Sequence, residues 1–170
     1  MRRVALALLV AGAIGIGIGV VALINSGSDD ASTSSSTARL RLTTRPARAP
    51  FTGATETRLA VGGHCKRLVV ADDEAERVQG LRQRDTLGAY DGMLFVFPQP
   101  TEVAFTMSTV PVPLDIGFYG ANGAPVSRRR MTPCARADAQ CPAYRADGPF
   151  VFAVETLRGG LPTGALSACA

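Results

Sequence analysis

The chain has 170 residues, with 18 basic and 14 acidic side chains, 46% hydrophobic and 19% charged content; that is room for one domain plus extensions. From Arg58 onward 12 basic residues meet 11 acidic ones. A folded part so close to neutral lacks the basic footprint of a nucleic-acid binder, and no nucleic-acid partner is expected.

Val4 to Ile24 is an unbroken run of apolar and glycine residues. As a helix it would extend about 31 Å, close to the roughly 30 Å hydrocarbon core of a bilayer. Arg2 and Arg3 precede it, and Asn25-Ser26-Gly27-Ser28 after it offers no small-residue cleavage pattern. Residues 1–24 are therefore expected to be an uncleaved single-pass anchor, with the N-terminus cytoplasmic and the remainder outside. Secretion after signal cleavage is the alternative. Gly15 and Gly19 form a GxxxG spacing, which a Gly/Ala/Ile-rich span also produces by chance. Residues 25–57, rich in Ser, Thr and Ala and then in Arg and Pro, are expected to be a disordered tether. The folded domain is expected over 58–170.

Arg58 to Ala71 reads as one or two strands. Asp73 with Glu76 three positions on is a capping-box signature, and starts a short helix carrying Ala75, Val78 and Leu81 on one face. Met93 to Phe97 reads as a strand stopped by Pro98 and Pro100, and Val103 to Met107 as the next. Leu114 to Tyr119 and Pro125 to Met131 form a hairpin through Asn122-Gly123. Phe150 to Glu155 is a late strand, Gly159 to Gly164 a helical turn, and Ala165 to Cys169 a last short strand. The fold expected is mainly β: a small barrel-like, antiparallel or mixed sheet with one short helix.

Glu76-Arg77, Gly80-Leu81, GMLFVF at 92–97, Phe105-x-Met107, PLDI at 113–116, Cys134 and Cys141-Pro142-x-Tyr144 follow one another at spacings that resemble the domain-of-unknown-function 192 family. The resemblance runs from about Leu59 to Ala170. It implies a small, mostly β, barrel-like domain with a short helix, often secreted or membrane-anchored, with no established activity. The family's usual Phe-Trp-Met-Lys-Asn-Thr is here Phe105-Thr106-Met107-Ser108-Thr109-Val110, so its Trp, Lys and Asn are absent.

Asp115, set between Leu114 and Ile116, is the most informative acid. It either lines a pocket with Met107, Phe105 and Arg77, or caps a turn or pairs with an arginine for structure. Glu155 could be a second pocket acid, making a hydrolase-like pair with Asp115; an exposed position at the strand end is the favoured reading. Arg128-Arg129-Arg130 could touch an anionic polymer, against a solvated strand. The four cysteines allow three pairings. Cys134–Cys141 closes a short loop and is favoured, which leaves Cys65 and Cys169, a pairing that stays open at this point. A zinc site with His64 is the competing reading, disfavoured because no C-x-x-C occurs. No metal and no cofactor is expected. The favoured function is a binding or accessory module of the cell envelope, taking a polymer or protein ligand. The alternatives are a hydrolase acting through Asp115, and a motif that only builds the fold. The oligomeric state is left open.

Overall fold

The computed structural model describes residues 38–170; the span expected at 4–24 and the first part of the tether lie outside the described residues. No helix among the described residues is long and apolar enough to cross a membrane. The domain is mainly β. Its eight strands are β1 (Arg45–Pro46), β2 (Thr55–Val61), β3 (His64–Ala71), β4 (Gly92–Thr101), β5 (Leu114–Tyr119), β6 (Pro125–Met131), β7 (Phe150–Leu157) and β8 (Leu166–Ala168). They form one sheet in the order β1-β2-β3-β4-β7-β5-β6, with β8 also on β2. The pairing path ends at β1 and β6, so the sheet is open where the family resemblance implied a barrel-like one.

Every pairing is antiparallel except β3 with β4. Parallel neighbours need a crossover, and here the crossover carries the short helix α1 (Glu74–Gln79). The helix forms for the reason its sequence gives: the Glu76 amide donates to Asp73 Oδ1 at 2.8 Å, and Glu76 reaches back to the cap backbone. It buries no residue, so local capping rather than core packing defines it.

Apolar side chains cover both faces of the sheet. One core gathers Phe95, Ile116, Phe118, Phe150 and Met131; the other gathers Leu59, Leu68, Val70, Leu94, Phe152 and Val154. The central strand β7 lies between β4 and β5 and, from Phe152 through Ala153 to Val154, alternates between the two cores. Its approach to β4 is close: a Cβ on Gly92 would come within 2.2 Å of the Glu155 carbonyl oxygen, so the motif begins with glycine.

Three expectations need correcting. Order begins before Arg58: Arg45–Pro46 pairs with β2, Phe51 enters the core, and the side chain of Glu56 is buried. The arginine-rich stretch read as a solvated tether instead makes specific contacts, Arg39 donating to the Phe97 and Pro98 carbonyls and Arg45 to Glu56. Val103 to Met107 is a loop with single bridges, Phe105 to Tyr144 and Ser108 to Cys134. Pro98 and Pro100 do not stop β4. They sit where its ladder with β7 breaks register between Val96 and Thr101, so no ladder donor is missed.

Candidate functional site: an apolar cleft with a buried acid

Between α1 and the loop 103–106 lies a cleft of about 430 Å³. Phe95 and Phe97 of β4 and Phe105 of the loop supply its apolar walls. Phe105 packs edge-on to Phe95 with ring centroids 5.0 Å apart, backed by Phe118 and Phe150. Two of the three exposed large hydrophobic residues among the described residues, Val78 (65% exposed) and Val103 (44%), stand at the mouth.

Glu155 opens on this cleft although it is only 4% exposed. In the ladder it lies between Met93 of β4 and Ile116 of β5. Burial pushes its carboxyl up to about 8, against a weaker opposing pull from the Arg82 charge. Arg82 does not bond it. Its three nitrogens donate instead to the Val78 carbonyl, the Ser108 carbonyl and Asp138. Asp138 accepts from Arg82 and from Thr106 Oγ1, both at 2.7 Å, and these bonds hold it below the usual carboxylate range. The Cys134–Cys141 bridge closes the loop that carries Asp138. Arg77 is likewise engaged: it donates to the Asp72 and Val96 carbonyls and lies over the Phe97 ring at 5.2 Å.

Of the residues expected to share a pocket, Arg77 and Phe105 line the cleft, and Met107 is fully buried in the adjoining core. Asp115 is elsewhere. It pairs with Thr156 in the ladder while Ile116 pairs with Glu155, so the two acids project from opposite faces of the sheet. That register rules out the Asp115–Glu155 pair. Asp115 Oδ2 accepts from the Gly159 amide at 2.7 Å, capping the turn after β7, and its Oδ1 is buried without a partner among the described residues. The exposed position favoured for Glu155 is also corrected. The run FVFAVETL is apolar at both parities, the mark of a strand covered on both faces, and an acid within it is buried whichever way it points. Arg82, Thr106 and Asp138 were missed as neighbours because they come from three separate loops.

The match of the family model covers residues 57–164, the bulk of the folded part. The chain belongs to the domain-of-unknown-function 192 family (DUF192, Uncharacterized ACR). No curated protein matches it. It is similar to a Novosphingobium aromaticivorans protein of unknown function, at 25% identity over 72% of this chain and 92% of that one, with a TM-score of 0.60. A Sinorhizobium meliloti protein described as a candidate transcription regulator shares the fold at 22% identity, over 67% of this chain and 94% of that one, with a TM-score of 0.59.

Within this DUF192 domain the residues that stand in place of the motif's Trp, Lys and Asn have distinct surroundings. Thr106 lines the cleft, Ser108 is buried and donates to the Arg136 carbonyl at 2.6 Å, and Thr109 is exposed with a positive φ of 58°. Cys65–Cys169 and Cys134–Cys141 are both bridged, leaving no free cysteine. His64 is exposed, and among the described residues no three His, Cys, Asp or Glu side chains converge as a metal site. The other buried acid, Glu56, is 1% exposed and held down to about 2 by Arg67, then Tyr90 and Arg45. It is fully paired and structural.

Proposed function

We propose that this domain is a binding module of the cell envelope that takes an apolar molecule, or an apolar group of a larger one, in the cleft between α1 and residues 103–106. One observation carries the reading: Val78 and Val103 stay exposed at the mouth of a hollow walled by three phenylalanines. Apolar surface left open around a concave site marks a ligand site more than a folding need. The hydrolase reading has lost its support, since Asp115 faces away from the cleft and Asp138 is committed to Arg82 and Thr106. Placement outside the membrane, with residues 4–24 as the anchor, draws support from the apolar run and from two disulfides, which persist in oxidising compartments.

The test uses the full chain in lipid nanodiscs and butylbenzene as probe, read by saturation-transfer NMR. Ala104 lines the cleft, and Ala104→Trp fills it. Transfer in the natural chain that disappears in the variant is expected; equal transfer in both overturns the reading. An alkaline phosphatase fused after Ala170 should be active and membrane-bound, whereas an inactive fusion overturns the placement.

A further inference from the structure

We propose that Glu155, as an un-ionised carboxylic acid, donates a hydrogen bond to an acceptor oxygen of a neutral, mainly apolar ligand. This rests on the cleft being a ligand site. The geometry comes first. Glu155 is almost wholly buried, opens on the cleft, and receives no hydrogen bond from any described residue. Its neighbours across the ladder are Met93 and Ile116, and neither can satisfy it. A carboxyl in such a place takes its partner from the cleft, as water or as a ligand that displaces it. The charged groups lining the same cleft are Glu74 and Arg77 of α1, Arg82 just after it, and Asp138 across the mouth.

Charge then selects the ligand class. An ionised carboxylate buried here would cost several kcal/mol unless directly paired, and Arg82, the cation acting on it, directs its Nε, Nη1 and Nη2 at Val78, Ser108 and Asp138 and makes no bond to Glu155. The acid therefore keeps its proton near neutral pH. With Glu155 un-ionised, Arg77 and Arg82 are balanced by Glu74 and Asp138 in the same lining, so the cleft has no net charge to draw an anionic or a cationic ligand. A neutral ketone, ester, ether or alcohol with an aryl or alkyl body meets every condition: its body lies on Phe95, Phe97 and Phe105, and its oxygen accepts from Glu155.

Three probes of matched size test this on the full chain in nanodiscs, with binding to Ala104→Trp subtracted as partition into lipid. They are butylbenzene, 4-phenylbutan-2-one and 4-phenylbutylamine, titrated by probe-observed NMR. At about pH 6 the ketone should bind about tenfold tighter than butylbenzene, the advantage of one well-made hydrogen bond. That advantage should fall away as pH rises beyond about 8, where Glu155 ionises. Glu155→Gln keeps a donor at every pH, so the ketone advantage should persist without the fall. Glu155→Leu should bind butylbenzene and show no ketone advantage; Glu155→Gln alone decides if the leucine variant does not fold. A ketone that binds no better than butylbenzene overturns the assignment of Glu155 but spares the cleft. An amine that binds tightest, increasingly so at higher pH, also overturns it, in favour of a cation site. Failure of both neutral probes overturns the cleft reading as well.

Discussion

A carboxyl buried among methionine, isoleucine and phenylalanine gives the fold a pH dependence of its own. Burial raises Glu155 from 4.5 to about 8. Between these values the folded chain holds a proton that the unfolded chain has released. Stability is therefore complete below about 4.5, declines as pH rises toward about 8, and then levels. Glu155→Gln should gain thermal stability over the natural chain progressively across that window, as read by circular dichroism melts at both ends of it; a constant difference would show a solvated carboxyl. Glu56 works in the opposite sense. Held at about 2 by Arg67, Tyr90 and Arg45, it supports the fold above about 4.5 and loses that support as pH falls to about 2. Thr109 presents a different cost. A β-branched residue at a φ of 58° is strained, and its carbonyl accepts from the amide of Gln83, which is itself at a φ of 57°. Asparagine tolerates that region better, so Thr109→Asn should stabilise by about 1 kcal/mol in a urea titration. The motif resemblance placed an asparagine here. The dihedral angle accounts for it as a backbone requirement, which no reading of residue types could separate from chemistry.

Among the elements, α1 was legible because its signals are local: Asp73 and Glu76 are three positions apart and bond one another. The cleft was not, because its walls come from β4, the loop 103–106, the crossover and the bridged loop, and no local pattern records that they meet. Val103 to Met107 shows the difficulty. Its apolar run suits a strand, yet its partners are single bridges to Tyr144 and Cys134, fixed by tertiary packing. Since α1 has no buried residue to hold it, its cap should govern the wall of the cleft. Asp73→Ala should cost about 1 kcal/mol, and amide exchange should quicken across 74–80 while β4 and β7 stay protected. Exchange that quickens equally in β7 would show that the helix is coupled to the core.

At the scale of the whole molecule the ladder is tied at its margins. Cys65 and Cys169 are 104 residues apart in sequence and join β3 to the chain just beyond β8. A loop of this order restrains the unfolded chain by about 4.7 kcal/mol on the chain-entropy account. Removing both thiols together, Cys65→Ser with Cys169→Ser, should lower the urea midpoint accordingly; a loss below about 1 kcal/mol would place the restraint elsewhere, in the β2–β8 pairing. The mainly β character and the hairpin at Asn122-Gly123 were readable from alternation and turn chemistry. The parallel contact of β3 with β4 was not, since strand direction leaves no mark on either strand. That one parallel contact has a wider consequence. It obliges the chain to climb over the sheet between Ala71 and Gly92, and the climb places α1 against the cleft while adding nothing to the core from the helix itself. Val78 on α1 lines the cleft without serving the core, whereas Phe95 and Glu155 line it from within the ladder. A substitution at Val78 should therefore alter the mouth of the cleft and leave the ladder as stable as before.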